Sequence, residues 1–319
     1  MRVRPLSRAA ALAIGVMPRQ VRARIAQSLT DGRLADRRSS DRTRRALVRR
    51  GGDPAVEVDI DGARLKLPLS HALPTYRRAY PSYSENLGEV ARLVADTGGQ
   101  TMIDVGANIG DSAAIVKAYA PNMAILCIDA DPAYLPFLRS NTTQWPDIEI
   151  AAPVLLAERT EDVPGSMTRA RGTSRFVASS PGTVAAVSLD DLVRERSRFA
   201  TPALLKSDTD GFEDHVLRGA TSILSATGPV LFLEYDPTLL RDSGSDGREM
   251  LAGLRSFGYE RIAFYDKFGK LMVRCALDDE VLLRDLDAYA AGNTERTMDH
   301  YDVVVVTPEF SSVVDALTA

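Results

Sequence analysis

Cysteine and histidine are scarce in these 319 residues: Cys127 and Cys275 stand far apart, and His71, His215 and His300 are scattered. No metal-ligand spacing results, so a structural zinc site is not expected. Both cysteines fall in apolar segments, where a small buried thiol is the ordinary role. The pair points to a reducing, cytoplasmic setting. No apolar run approaches the roughly 20 residues that cross a bilayer. The stretch Ala9 to Met17 is short, and Pro18, Arg19, Arg22 and Arg24 follow where a small-residue cleavage site would stand. That makes a poor secretory signal. Repeats and low-complexity tracts are missing beyond an arginine-rich leader.

Charge is unevenly placed. Residues 1–50 hold 14 Arg, no Lys and three Asp, for a net charge of +11, whereas residues 51–319 hold 25 basic and 40 acidic side chains, for a net −15. Two parts are therefore expected: a basic extension over 1–50 and an acidic body over 51–319. Within the extension, residues 6–29 read as a helix with Leu6, Ala10, Ala13, Met17, Val21 and Ile25 near one face. Arginines elsewhere on it suit peripheral contact with an anionic membrane surface. The plain alternative is a solvated helix or a disordered leader.

With 45% apolar and 26% charged residues the body is an ordinary globular chain. It opens on a hairpin, Val56–Ile60 and Ala63–Leu67 about Asp61-Gly62. A helix over 84–97 leads into strand Thr101–Val105, and strands and helices then alternate. Further strands are expected at 124–129, 148–154, 184–189, 203–207, 230–235 and 261–265, with helices near 132–141, from 190, and over 212–224 and 248–257. The four-valine run in Tyr301–Thr307 reads as a strand buried on both faces and inserted late among the others. The pattern predicts an α/β, Rossmann-like fold: a seven-stranded, mostly parallel sheet with helices on both faces. Residues 157–183, rich in Gly, Ser, Pro and Arg, read as a loop or hairpin insertion near the ligand face.

In such a sheet, ligands lie outside the carboxyl ends of the strands. The first parallel strand ends in Asp104-Val-Gly106-Ala-Asn108-Ile-Gly110, a tight turn that opens a helix. Glycines there let backbone approach a nucleotide-like ligand. The spacing departs from Gly-x-Gly-x-x-Gly, which favours S-adenosylmethionine over NAD. Asp129 closes the second strand, where it can accept from both ribose hydroxyls, while Asp131 before Pro132 serves as a cap. A later junction reads Lys206-Ser-Asp208-Thr-Asp210-Gly-Phe-Glu213. Crowded carboxylates raise one another's pKa, and Lys206 offsets part of this. Asp210 with Glu213 also fits a capping box. Asp208 is expected to face the pocket, His215 is a second proton acceptor, and Glu234 and Asp236 add acids to the same rim.

Four blocks, MIDVGANIG (102–110), CIDADP (127–132), LKSDTDGFEDHVLRGA (205–220) and LFLEYDP (231–237), resemble the FkbM-type family of class I S-adenosylmethionine-dependent methyltransferases. The resemblance covers about residues 75–307, with Asp129 and Asp210 standing where the family more often has Glu. It implies O-methylation of a sugar, glycan or secondary-metabolite hydroxyl, with S-adenosyl-L-methionine as cofactor. Carried over, Asp104, Gly106, Asn108 and Gly110 border the methionine part and Asp129 the ribose. Tyr83 closes over the site, Asp208 stands at the methyl-transfer end as the general base or the group that orients the hydroxyl, with His215 second, and Asp210 and Glu234 meet the substrate. Metal ligands are not expected. The alternative role for Asp208, Asp210 and Glu234 is to hold a hard cation such as Mg²⁺ with a diol substrate. Segment 266–300, with Arg274 and Arg296, is expected to shape the acceptor pocket. Competing readings are a nucleic-acid methyltransferase and a non-catalytic cofactor-binding scaffold. The acidic body and the lack of an Asn/Asp-Pro-Pro-aromatic signature argue against nucleic acid.

Overall fold

The computed structural model describes residue 14 and residues 17–32, 37–151, 153–170, 172–293 and 297–318. Arg296 and most of the leader before Met17 lie outside these. The chain divides into two compact units, Met1–Pro81 with 169–173, and Ser82–Thr168 with Ser174–Ala319. Among the described residues no helix is long and apolar enough to cross a membrane.

In the first unit, β1 (Ala55–Ile60) and β2 (Ala63–Pro68) pair antiparallel about Asp61-Gly62. Both turn residues take positive φ, +48° and +89°, as a two-residue hairpin turn requires. Alternation sends Val56, Ile60, Leu65 and Leu67 inward. Helix Arg19–Thr30 packs on β1 and buries Ala26 and Leu29, and helix Arg37–Gly51 buries Leu47. The Gln27 amide donates to the Glu57 carbonyl and accepts from the Glu57 N–H, each at 2.9 Å, which satisfies backbone on the β1 edge. The first compact unit runs on past residue 50 to Pro81, with helix Arg37–Gly51 packed on helix Arg19–Thr30.

The second unit is built on an eight-stranded sheet in the order β14-β13-β15-β12-β11-β3-β4-β5. Its strands are β3 (Thr101–Val105), β4 (Ala124–Ile128), β5 (Ile148–Ala151), β11 (Leu204–Ser207), β12 (Val230–Tyr235), β13 (Arg261–Asp266), β14 (Leu271–Ala276) and β15 (Tyr301–Val306). The run from β5 through β12 is parallel, and β15 lies antiparallel between β12 and β13. Successive residues face opposite layers. Ile103, Leu205, Leu231, Val303 and Val305 join one core; Met102, Leu204, Val230, Val304 and Val306 join the other. Each such side chain contributes about 1.5–3 kcal/mol by leaving water.

Three expectations are corrected. The sheet has eight strands rather than seven, because β14, with half-buried alternation, adds an edge to β13. The strand expected at 184–189 is β10 (Thr183–Val187), which pairs with β6 (Leu155–Leu156) and β7 (Glu161–Pro164) in a separate small sheet. The 157–183 insertion also carries a ribbon of β8 (Ser166–Ala170) and β9 (Thr173–Val177). Lastly, the helix expected over 212–224 is two, Glu213–Arg218 and Thr221–Thr227. The break is at Gly219, where a Cβ would stand 2.2 Å from the Ala157 carbonyl oxygen.

Candidate active site

The carboxyl ends of β3, β4, β11 and β12 and the start of the antiparallel β15 form one rim. On β3 and β11, Asp104 and Lys206 are register partners. The Asp104 carboxylate lies 3.1 Å from Lys206 Nζ and accepts from Ser112 Oγ at 2.5 Å. Burial alone would lower the Lys206 pKa, but the Asp104 and Asp208 carboxylates outweigh it, so the ammonium stays charged. Asp104 is fully buried. From beneath, it anchors Lys206 and the first turn of helix Asp111–Tyr119.

Beyond β3 the chain turns back on itself. Gly106 has φ +78°, and a Cβ there would stand 1.9 Å from the Asp208 carbonyl oxygen. Only glycine lets the ends of β3 and β11 come this close. Asn108, also at positive φ, donates its N–H to Asp129 Oδ2 at 2.7 Å. Gly110 is held differently: a Cβ there would press on Leu138 and Thr142 at 3.2 Å, so its small size serves packing against helix Leu135–Thr142.

Asp129 is buried at the end of β4, and Oδ1 accepts from the Asp131 N–H at 2.7 Å. Burial pushes its carboxyl up to about 6 despite the two backbone donors. Asp131 accepts from the Ala133 N–H at 2.8 Å and from the Ser174 hydroxyl, capping the turn that precedes the helix.

After β11, Glu213 is wholly buried and reaches back to the Thr209 N–H at 2.7 Å and the Thr209 hydroxyl at 2.8 Å. The expected capping box would have Glu213 accept from the Asp210 N–H, and it bonds Thr209 instead. The helix is capped by Phe212 without a side-chain bond, so neither half of the box forms. Asp210 instead takes φ +53° beside Asp208, with Arg175 and His300 near enough to temper its charge. Burial first, and then Asp208, raises it to about 6; burial also lifts Glu213 to about 7. The Asp208 side chain is half exposed, 3.6 Å from Lys206 Nζ.

At the end of β12, Asp236 caps helix Pro237–Asp242, accepting from the Thr238 and Leu239 N–H groups. It is structural rather than a rim acid. Glu234 remains at the rim, its carboxyl raised by burial and then by Asp208, Asp210, Glu213 and Asp236. Burial likewise raises the Tyr83 phenol, and the next contributors are Asp208, Asp111, Asp302 and Glu234. Tyr83 therefore belongs to this rim. His215 does not: its Nε2 bonds the Ser243 carbonyl at 3.2 Å, and its ring stacks on Phe212 at 4.1 Å. A nitrogen that donates to a carbonyl is not the proton acceptor expected there.

Sequence reasoning passed over Asp302, Asn86 and His300. Asp302 faces Glu234 across β12 and β15, accepts from the Asn86 amide at 2.7 Å and is raised by burial to about 6. The signal was the polar His300-Tyr-Asp302 run at the mouth of the valine strand, which an antiparallel direction brings to the rim. Arg274, expected at the acceptor pocket, donates to the carbonyls of Val314 and Leu317 instead. Among the described residues, no three of His, Cys, Asp and Glu converge as metal ligands.

This rim, with more carboxyl groups than cations, suits a cationic ligand. Residues 104–261 match the profile described as the Methyltransferase FkbM domain. No curated protein matches the chain. Among solved structures it is similar to methyltransferase FkbM from Methylobacillus flagellatus KT, at 20% identity over 51% of this chain and 39% of that one, with a TM-score of 0.39. The chain thus spans well under half the length of that relative. An O-methyltransferase from Bacillus cereus in complex with SAH aligns at 14% identity over 74% and 89% of the two chains, TM-score 0.38. Aeropyrum pernix fibrillarin with natively bound S-adenosyl-L-methionine aligns at 12% over 66% of each, TM-score 0.37. Residues 104–261 thus carry a methyltransferase FkbM domain.

Proposed function

We propose that the chain transfers a methyl group from S-adenosyl-L-methionine to a hydroxyl of a sugar, glycan or secondary metabolite. The observation that carries this reading is the convergence of Asp208, Asp210, Glu234 and Asp302 on one rim where Lys206 is already paired with Asp104. A sulfonium and an ammonium offset that surplus of negative charge, whereas NADH, anionic through its pyrophosphate, would add to it. The residues fit the rest of the cofactor as well. Asp129 accepts two of the roughly four hydrogen bonds open to a carboxylate, which leaves capacity for ribose hydroxyls. The Gly106–Asn108 turn offers backbone free of bulky side chains beside it.

When bound, the cofactor supplies a methyl group already activated by the sulfonium. The chain's share is alignment: the acceptor oxygen must sit in line, roughly 3 Å from the methyl carbon. Asp208, the most open of the rim carboxylates, orients the acceptor by accepting a hydrogen bond from a hydroxyl beside the one that is methylated. Tyr83, kept protonated first by burial and then by the carboxylates around it, covers the site and donates to the acceptor.

The test is calorimetry with S-adenosylmethionine and with NADH, followed by methyl transfer to a panel of methyl glycosides with and without EDTA. Binding of S-adenosylmethionine alone, transfer to a hydroxyl that EDTA does not affect, and at least tenfold slower turnover in Asp208→Asn are expected. Transfer to RNA but to no glycoside would replace this reading with the nucleic-acid one.

A further inference from the structure

His300 has no part in the arrangement above, yet its surroundings are specific. Its Nδ1 lies 3.1 Å from Asp299 Oδ1, and the same oxygen meets the Lys267 ammonium at 3.0 Å. With Asp299 ionised beside that ammonium, Nδ1 carries the ring proton and Nε2 presents its lone pair. Nε2 stands 3.9 Å from Glu234 Oε1. The gap is too wide for a direct hydrogen bond and admits one hydroxyl oxygen, whose single proton would point to Nε2. Register places the neighbouring Asp302 opposite Glu234, so the ring is part of the rim. His300 is partly exposed, and its charge reaches Asp210 and Asp302.

We propose that His300 is the general base that takes the proton of the acceptor hydroxyl, with Asp299 and Lys267 as the residues that position its ring. This rests on the O-methylation reading. As the oxygen–methyl bond forms, the oxygen–hydrogen bond breaks and the proton passes to Nε2. The electron pair of the methyl–sulfur bond stays on sulfur, and the imidazolium then returns its proton to water. Nothing is oxidised or reduced. Asp208 orients the acceptor, and His300 takes the proton of the hydroxyl that is methylated.

The groups that face the ring are Asp299, Asp302, Glu234, Asp210 and Lys267. Burial lowers its basicity, but the Asp299 hydrogen bond and the charges of Asp302 and Asp299 more than compensate, so it titrates above the usual imidazole value. A base must be unprotonated, so turnover is expected to fall on the acid side as the ring takes up its proton.

The experiment compares the full-length chain with His300→Gln and Asp299→Asn in three readouts: S-adenosylmethionine binding by calorimetry, kcat against pH with methyl glycosides, and NMR titration of the His300 ring without cofactor. In His300→Gln, kcat is expected to drop about 10²- to 10⁴-fold, with cofactor affinity kept and the acid limb gone. In Asp299→Asn the ring titrates at lower pH and the acid limb moves with it. Wild-type rates in His300→Gln, or an acid limb that does not follow the ring titration in Asp299→Asn, would overturn the base alone. A wild-type chain that binds cofactor but methylates no hydroxyl, whether of glycosides or of a panel of alcohols and phenols, would overturn the O-methylation reading, and the base with it.

Discussion

Gly106 and Asp129 carry the tightest constraints at the cofactor end. Alanine at 106 would need both a positive φ and room where the Asp208 carbonyl stands. The strained φ alone costs about 1–3 kcal/mol, so Gly106→Ala is expected to lose at least that in urea unfolding and to abolish calorimetric binding of S-adenosylmethionine. Unchanged binding would show that the turn tolerates separation of β3 and β11. Asp129→Asn puts an amide N–H₂ against one of two backbone donors. Leaving that donor unsatisfied costs about 1–3 kcal/mol, and cofactor affinity should fall with stability. The glycine turn and the acid that closes β4, Asp129, were legible as positions in the sequence because a positive φ or a strand-end acid has a local signature. The burial of Asp104 was not, since its partner Lys206 is about a hundred positions away and only strand order joins them. His215 misled for the same reason: Ser243, which occupies its ring nitrogen, comes from another helix end.

Helix termini and strand edges were less legible than strand interiors. The parallel strands announce themselves as short apolar runs closed by acids or turns. The edge strand β14 is half-buried and mixed in polarity, so nothing local separates it from a loop. The capping box at 210–213 fails because Asp210 is drawn into the positive-φ turn needed to bring Gly211 against Leu239. By contrast, Asp236 caps its helix with two N–H bonds at 2.8 and 3.0 Å. Asp236→Ala is expected to cost about 0.5–2 kcal/mol, read as a lower urea midpoint with an unchanged slope. A midpoint equal to wild type would mean that water replaces the cap without loss.

The molecule as a whole holds a set of carboxyl groups that give up their protons at higher pH than free ones do. Burial places Asp129, Asp210 and Asp302 at about 6 and Glu213 at about 7, against ordinary carboxyl values near 4. Because these values are raised in the folded chain, it binds more protons than the unfolded chain between about pH 4 and pH 7. Stability therefore rises as pH falls through that window, and His300, also raised, acts in the same direction. A thermal midpoint higher at about pH 5.5 than at about pH 7.5 is expected without cofactor; the opposite order would refute the shifts. Binding of a cation favours the ionised carboxylates, so affinity for S-adenosylmethionine should strengthen over the same rise in pH. A flat affinity would argue that the rim acids do not sense the ligand.

The position of β15 has a consequence for how the chain is made. During synthesis β12 and β13 emerge well before residues 301–306, yet they become neighbours in the sheet only through the strand those residues form. Until then each presents an unpaired edge of apolar sequence, the condition that favours aggregation and chaperone capture in a nascent chain. The same late segment delivers His300 and Asp302, so a ribosome-bound chain that already contains the glycine turn and Asp129 still lacks part of its rim. Arrest of translation before residue 300 should give a species that is sticky and catalytically silent together.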